Sequence, residues 1–353
     1  MDAGGAYVDD AAGRYLTGLW YLALPGGDLK PGKMVGRVFL EQPLLLGRGR
    51  DGAPFALRDL CPHRGVALSA GAFDGEEVRC PFHGWRFGRD GGCRAIPSLV
   101  ERGRITPEKI KVRSYPCREV QGNVWVFLGA AGQEPPAGPP EIPELGEVRP
   151  KVTTSLTFET DLDNAVYGLL DPAHTPYVHE GVFWRRPTTL KLKTKSYVPS
   201  ELGFTMSRHA PAGNTTAYKL MGGKPTTEIS FRLPGLRLEH IKLGRHHICN
   251  FTAMTPIGPK QTQVVNLLYW TNPLLNPLKP VLSRIARRFL GQDQWIVGLQ
   301  NRSAAYEPPM MLVNDADTLQ RWYLRLKREW RRAQLADEPF QNPLRPATLQ
   351  WNS

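Results

Sequence analysis

The chain has 353 residues, of which 41% are hydrophobic and 22% charged, the composition of an ordinary globular protein. This length predicts about two domains. The net charge of +12 is spread along the chain without a nucleic-acid-binding motif, which excludes nucleic acid as the expected partner and favours an acidic protein or membrane surface. No apolar run approaches the roughly 20 residues of a membrane-spanning helix, and the acidic N-terminus resembles no targeting signal, so we expect a cytoplasmic protein.

The first part of the chain predicts β structure. Residues 14–23 read as a short amphipathic segment, and residues 36–60 alternate like a hairpin with a turn at 50–52. The stretch 120–130 reads as a closing strand. Residues 133–148 are rich in Pro and Gly and predict a linker between two domains.

Two Cys-His pairs stand between these strands. Cys61 and His63 form a C-x-H pair, and Cys80 and His83 form a C-x-x-H pair. Two thiolates and two imidazoles suit a structural zinc ion. They suit equally a two-iron, two-sulfur cluster in which both histidines bind one iron and both cysteines the other. Five scattered cysteines fit a metal site in a reducing compartment better than a disulfide framework.

The second part of the chain predicts a sheet flanked by helices. Residues 152–158 alternate like a strand, 161–170 have helical spacing, and 188–272 contain several alternating segments that predict an antiparallel sheet. Near the end, Leu319, Trp322, Leu326 and Trp330 recur at helical spacing after a cap at Asn314 or Asp315. We read His240, His246 and His247 as residues of the sheet.

A second group of metal-ligating residue types lies in this part. Asp171, His174 and His179 form a D-x-x-H-x4-H arrangement. Two imidazoles and a carboxylate are the ligands of a ferrous site with open positions for dioxygen. The alternative is a pair of ordinary polar histidines at a helix end. Five residues place the two histidines about 140° apart on a straight helix, so Pro176 would have to kink the segment to bring the rings together.

Together these motifs resemble the oxygenase α-subunit of the Rieske non-haem iron oxygenases, over nearly the whole chain. The resemblance implies an α+β protein with an N-terminal all-β Rieske domain and a C-terminal helix-grip catalytic domain, in which an antiparallel sheet wraps a helix. The implied limits are an N-terminal segment at 1–35 that packs on the catalytic domain, the Rieske domain at 36–132, the linker at 133–148 and the catalytic domain at 149–353.

The same resemblance implies the site residues. The third iron ligand in such proteins is a downstream aspartate with an acidic or amide residue just before it. The implied ligands are Cys61 and Cys80 on one cluster iron, His63 and His83 on the other, and His174, His179 and Asp293 on a mononuclear Fe(II). Glu159, Asp161 and Asp163 are rival carboxylates but lie upstream of the expected place.

Asp171 matches the aspartate that, in this family, links a cluster histidine of one subunit to an iron histidine of its neighbour. This implies a homotrimer. The alternative is a helix cap before Pro172. Gly168 stands where many relatives have Asn, so we expect that polar contact to be absent or supplied by Asn164.

The implied activity is oxidation of an apolar aromatic or polycyclic substrate, including a sterol-like one, by O2 and electrons from a separate reductase or ferredoxin. Chains of this kind resemble monooxygenases and demethylases; a ring cis-dihydroxylating dioxygenase, a stand-alone Rieske electron carrier and a zinc-stabilised binding protein are the alternatives. Residues 276–290 combine basic and apolar side chains and could contact a membrane surface, although an ordinary surface helix fits them too. The candidate pocket residues are Phe183, Trp184, Phe204, Met206, Phe231, His247, Phe251 and Trp270.

Overall fold

The computed structural model describes residues 14–100, 105–179, 189–210, 225–308, 311–313 and 315–353. It divides into two compact units, Met1–Glu141 and Ile142–Ser353, and each is described by itself. The division falls within the predicted linker. The structure is a mixed α+β fold, as the sequence predicts, with a first unit made of β-sheets and a second built on one large antiparallel sheet.

The first unit contains three small antiparallel sheets, with strand orders β1-β11-β10, β2-β3-β4-β9 and β5-β6-β7-β8. The strands are β1 (Leu19–Pro25), β2 (Lys33–Phe39), β3 (Gln42–Arg48), β4 (Pro54–Arg58), β5 (Ala72–Phe73), β6 (Glu77–Arg79), β7 (Arg86–Gly88), β8 (Cys93–Ala95), β9 (Ser114–Tyr115), β10 (Cys117–Val120) and β11 (Asn123–Leu128). The predicted hairpin is confirmed as β3 and β4, and β2 extends it by a third strand.

β1 differs from the sequence prediction. Its residues form a strand beside β11 in the first unit, where we expected a short amphipathic segment. The physical reason is burial on both faces, because Leu19 to Leu22 are all buried and all six residues of β11 are buried too. A continuous apolar run of this length is typical of a buried strand.

The third sheet supports the Cys-His loops. Val78 of β6 and Phe87 of β7 are fully buried, and they pack in one hydrophobic cluster with Cys61, Cys80 and Trp85. Close packing of this kind fixes side chains in single positions. The loops that carry the two Cys-His pairs are therefore anchored at their cysteines.

The second unit is built on one sheet with strand order β12-β18-β17-β16-β15-β14-β13-β19. The strands are β12 (Val152–Phe158), β13 (Leu192–Ser200), β14 (Gly203–His209), β15 (Thr226–Arg232), β16 (Leu236–Leu243), β17 (His246–Gly258), β18 (Gln261–Trp270) and β19 (Ala347–Asn352). The α-helices described in this unit are α1 (Leu162–Leu170), α2 (Thr175–Val178), α3 (Lys279–Ser303) and α4 (Thr318–Ala336). The predicted strand at 152–158 and the predicted sheet are confirmed.

Helix α4 packs against the sheet through aromatic side chains. Tyr323 meets Phe231 of β15 edge to face at 5.7 Å, and Trp322 meets Phe204 of β14 at 5.4 Å. Edge-to-face pairs at these separations add to the stabilisation from burial itself. The helical spacing at 319–330 thus marks the buried face of α4.

The start of α4 corrects the predicted cap. The residue before the helix is Asp317, not Asp315, and Asn314 lies outside the described residues. The Asp315 carboxylate instead accepts a hydrogen bond from the Gln350 N–H at 3.0 Å. No helix of the described residues is long and apolar enough to cross a membrane.

Candidate functional site

The two Cys-His loops of the first unit repeat one backbone pattern. The carbonyl of Cys61 accepts a hydrogen bond from Gly65 N–H at 2.8 Å, and that of Cys80 accepts one from Gly84 N–H at 3.1 Å. Both glycines have φ of +70°, a left-handed conformation that side-chain-bearing residues rarely adopt. Each loop therefore turns sharply just after its cysteine and presents its histidine beside that turn.

These loops place sulfur inside and imidazole outside. Cys61 and Cys80 are each only 3% exposed, whereas His63 and His83 are exposed. The two imidazole rings lie 4.8 Å apart, and Trp85 stacks on His63 with an interplanar angle of 5°. The four predicted cluster residues are thus brought together with two sulfurs on one side and two rings on the other.

The surroundings of Cys61 suit a metal-bound thiolate. Burial raises the pKa of Cys61 to about 11, the backbone N–H groups of His63 and Arg64 act in the opposite direction, and the adjacent Cys80 thiol raises the pKa further. A bound metal ion deprotonates a coordinating thiol outright, and N–H groups directed at the sulfur then stabilise its charge. The donor set therefore fits an iron–sulfur cluster or a zinc ion.

The second unit brings another set of ligand atoms together. His174 Nε2 and His179 Nε2 lie 3.2 Å apart, and Asp293 Oδ1 lies 3.5 Å from the first and 3.1 Å from the second. The ligand atoms of these three residues are close enough together to hold one metal ion. Two imidazoles and one carboxylate on a single side leave further coordination positions free, which fits a ferrous site. We call His174, His179 and Asp293 the triad.

Local structure explains how the two histidines converge. His174 is the residue before α2 and His179 the residue after it, so the helix spans only the four residues between them, with Pro176 in its first turn. The two histidines therefore do not lie on one straight helix. The interplanar angle between the rings is 66°.

Helix α3 supplies the rest of the triad. His179 Nδ1 lies 3.3 Å from Gln292 Oε1, and Phe289 stacks on the His179 ring at 3.5 Å. An acceptor at Nδ1 favours the tautomer that leaves Nε2 free to bind a metal. Gln292 thus matches the amide expected before the third ligand.

The charges of the triad reinforce each other. Burial lowers the pKa of His174, but the hydrogen bond and charge of Asp293 outweigh it, so the net pKa is raised. Burial raises the pKa of Asp293, but the hydrogen bonds from His174 and His179 outweigh it, so the net pKa is lowered. In the metal-free protein an ionised Asp293 therefore stabilises the protonated form of His174. A divalent cation bound to the triad would take the place of that proton.

Asp171 lies beside the triad with one carboxylate oxygen engaged. Its Oδ1 accepts a hydrogen bond from Ala173 N–H at 2.7 Å, and its Oδ2 lies 3.8 Å from His174 Nδ1. The closer partner of His174 Nδ1 is the main-chain carbonyl of Asp171, at 2.8 Å. Asn164, the suggested substitute for the family's polar contact near Gly168, hydrogen-bonds Asp161 at the start of α1.

A cavity of about 340 Å³ opens beside the triad. Three of the predicted pocket residues, Phe204, Met206 and Phe231, line it. His247, Phe251 and Trp270 are not among its lining residues, and Phe183 and Trp184 lie outside the described residues. His240 and His247 hydrogen-bond each other at 2.8 Å within the sheet, as their assignment to sheet positions implies.

The polar residues that line the cavity were not predicted from the sequence. These are Lys195, His209, Arg237, Glu239 and Asn250. Most of them follow the alternation of strand residues between the two faces of the sheet, and this alternation can be read from the sequence. His209 could not be found this way, because a register irregularity between Met206 and His209 brings both to the cavity although they are an odd number of residues apart.

Comparison with known proteins identifies the first unit. Residues 19–116 match the family model of the Rieske [2Fe-2S] domain. The first unit is therefore an iron–sulfur domain of this type, which favours the cluster over zinc.

Relatives extend the comparison. Chlorophyllide a oxygenase of Arabidopsis thaliana is 34% identical over 190 residues, which are 51% of this chain and 33% of that protein. The oxygenase component of dicamba O-demethylase from Stenotrophomonas maltophilia is 33% identical over 173 residues, 47% of this chain and 48% of that protein. These matches thus span a third to a half of the relatives' length.

Solved structures extend the likeness to the fold. The crystal structure of dicamba monooxygenase bound to dicamba has a TM-score of 0.72 at 20% identity, covering 92% of this chain and 99% of that one. These relatives and solved structures are Rieske oxygenases, and this chain is similar to them.

Proposed function

We propose that the protein is the oxygenase component of a Rieske non-haem iron system, which oxidises an apolar aromatic or polycyclic small molecule with O2. The observation that carries this proposal is the triad, whose three ligand atoms lie within 3.5 Å of one another in a chain that also has a Rieske domain. A stand-alone electron carrier would need neither the triad nor the cavity beside it.

Each site residue has a distinct part in this proposal. Cys61 and Cys80 hold one cluster iron and His63 and His83 the other, while His174, His179 and Asp293 hold the mononuclear iron. When bound, the cluster supplies electrons one at a time and the ferrous ion supplies a redox centre with free positions for dioxygen. Gln292 orients His179, and the carbonyl of Asp171 orients His174, so that both Nε2 atoms stay directed at one point.

The cavity residues position the substrate and exclude water. Phe204 and Phe231 stack on each other at 5.4 Å and supply an apolar wall to the cavity that the triad also lines. Oxidation of a single carbon, as in monohydroxylation or demethylation, is our first choice, because the relatives above are named as monooxygenase, demethylase and oxygenase. Ring cis-dihydroxylation is the alternative.

The partners belong to the proposal as well. We infer a separate reductase or ferredoxin as electron donor and a homotrimer in which Asp171 connects the two metal sites of neighbouring subunits. Asp171 Oδ2 has no hydrogen-bond partner within the described part of the chain, which supports a link to a group outside it. The cytoplasmic location stays a prediction from the sequence.

Contact with a membrane surface is a further part of the proposal. Leu274, Leu278 and Val281 are exposed next to the basic residues Lys279 and Arg284 at the start of α3. Apolar side chains beside basic ones suit an anionic lipid surface. Binding of the protein to anionic but not neutral vesicles would test this point.

Metal analysis tests the proposed function. The purified protein, reconstituted without oxygen, should show a visible Rieske spectrum and contain three irons and two sulfides per chain, as one cluster and one mononuclear iron require. A colourless protein that contains zinc would contradict the proposal. Asp171→Asn should keep all the iron yet lose O2-coupled substrate oxidation, and normal oxidation by this variant would remove the bridging role.

A further inference from the structure

The cavity lining is ordered in rows across the sheet. Strand pairing puts Phe204 opposite Phe231 and Phe231 opposite Arg237, so these residues form one row. A second row runs from Tyr197 through Met206 and Ile229 to Glu239 and Asn250. The register therefore distinguishes an end lined by Phe204 and Phe231 from an end beyond Tyr197 and Met206.

Lys195 and His209 line the cavity on the side of Tyr197 and Met206 that faces away from Phe204 and Phe231. Lys195 precedes Tyr197 by two residues on β13 and so shares its face. His209 follows Met206 on β14 and reaches the same side through the register irregularity between them. Both side chains line the cavity, and burial lowers the pKa of His209, with the charge of Lys195 acting in the same direction.

Lys195 is a half-buried lysine that has no carboxylate partner in the part of the chain that the structure describes. No described residue forms an ion pair or hydrogen bond with its side chain, and burial together with Lys193 lowers its pKa. A cation removed from water without a partner is destabilising, and an anion supplied from outside would relieve that cost.

The other polar side chains that the sheet contributes to the cavity have partners. Arg237 and Glu239 pair with each other at 3.5 Å, so their charges cancel. Asn250 Oδ1 accepts a hydrogen bond from Asn266 at 2.6 Å, which fixes the orientation of the Asn250 amide. His209 Nδ1 pairs with the carbonyl of Ser207 at 3.1 Å. Among the described residues of the sheet that line the cavity, Lys195 is the positive charge left unmatched.

We infer that the substrate is an organic acid with a small aromatic body, whose anionic group binds Lys195 while the apolar part lies on the aromatic wall of Phe204 and Phe231. The inference rests on the proposed function and makes its substrate class more specific. A cavity of about 340 Å³ supports a body of one or two rings, because it lies at the lower end of the range of about 300–1,000 Å³ for ligand pockets.

Binding of matched probes to the holoenzyme tests this inference. The probes are 2-naphthoate, its neutral analogue 2-naphthamide and the cation 2-naphthylmethylammonium, titrated calorimetrically without an electron donor so that no turnover occurs. We expect 2-naphthoate to bind about tenfold tighter than 2-naphthamide, since a hydrogen bond to a charged group contributes at least that much. The cation should bind most weakly.

Variants at two lysines of β13 distinguish direct binding of the carboxylate by Lys195 from a general effect of the positive charge of the protein. Lys195→Met should remove the preference for 2-naphthoate and leave 2-naphthamide binding unchanged, whereas Lys195→Arg should keep the preference. Lys193→Met is the matched control, because Lys193 lies on the same strand but not in the cavity lining. Cluster absorbance and thermal unfolding check that each variant is folded.

The outcomes decide the inference separately from the proposed function. Equal binding of the acid and the amide, binding of neither, or a preference that survives Lys195→Met would overturn it. If the preference survived Lys195→Met, the carboxylate of 2-naphthoate would bind elsewhere, for instance to the mononuclear metal. If Lys193→Met and Lys195→Met both lost the preference, the general positive charge of the strand would be its cause, and the specific role of Lys195 would be excluded. A protein without mononuclear iron that still shows the Lys195-dependent preference would overturn the oxygenase proposal alone.

Discussion

The two candidate metal sites are built in opposite ways. The Cys-His loops of the first unit lie within Cys61 to His83, and each loop closes on itself through a backbone hydrogen bond to its own glycine. The triad of the second unit depends on α3, since His179 meets Gln292 across 113 residues of sequence. A site made by short loops tolerates change elsewhere in the chain, whereas a site made by distant segments depends on the packing that joins them.

The largest expected effect follows from removing the distant ligand. Asp293→Ala should abolish stoichiometric binding of the mononuclear iron, with a loss beyond the roughly 10–100-fold typical for groups behind the ligands, because a direct ligand and its charge disappear. The cluster spectrum should be unchanged. Iron counting and visible spectroscopy of the same sample check both expectations.

A control carboxylate lies in the same region. Glu307 is exposed just after α3, and Glu307→Ala should keep both iron sites. If Asp293→Ala also kept its mononuclear iron, another carboxylate would have to be the third ligand.

The sequence predicted most features that depend on residues close together in the chain. It predicted few of the features that depend on contacts between distant segments. The spacing of Cys61, His63, Cys80 and His83 indicated one site without knowledge of the fold, because short loops keep their residues together. The strand Val152–Phe158 was likewise readable from alternation alone.

Other features depend on tertiary structure. Asp293 was predicted only through the family resemblance, since nothing local marks a helical aspartate as a ligand. Lys195 and His209 required the strand register, and His209 also required an irregularity that the sequence does not announce. The strand β1 was missed because a run buried on both faces has no alternation to read.

A smaller loss is expected when the partner behind a triad ligand is removed. Gln292→Ala should lower the affinity for mononuclear iron about 10–100-fold, because His179 Nδ1 loses the acceptor that fixes its ring and tautomer. Gln292→Glu, which keeps an acceptor oxygen, should bind iron more tightly than Gln292→Ala. Competition with a chelator measures the affinity, and equal values for the two variants would exclude the orienting role.

Substitutions at the two loop glycines of the first unit should lower stability through backbone strain. Gly65→Ala and Gly84→Ala should each destabilise the protein by about 1–2 kcal/mol, because an alanine is strained at a φ of +70°. A Cβ at Gly65 would meet no atom within 4 Å, so its cost is strain alone. Thermal unfolding measures the loss.

Gly27→Ala provides the matched comparison for these two variants. A Cβ there also meets nothing within 4 Å, and the backbone of Gly27 is not left-handed. Its effect should stay within about 0.5 kcal/mol, as for most surface substitutions. Equal destabilisation by all three variants would mean that the loop conformation is not what requires glycine.

The smallest effect concerns a second histidine pair in the same unit as the triad. Burial lowers the pKa of His240 and of His247, and their hydrogen bond joins two rings without an intervening carboxylate. Below the ordinary histidine pKa of about 6.5 the unfolded chain therefore binds more protons than the folded one. Stability contributed by this pair is full above that pH and is lost as the pH falls.

The triad has the opposite sign in the metal-free protein. His174, whose pKa is raised, contributes stability that is full below the ordinary histidine pKa and is lost as the pH rises. In the metal-free protein, replacing His240 and His247 by glutamine should therefore reduce the fall in unfolding temperature on going below about pH 6.5. His174→Gln should instead remove stability on the acid side of that pH, and identical pH profiles for the two substitutions would show that the pairs do not differ in this way.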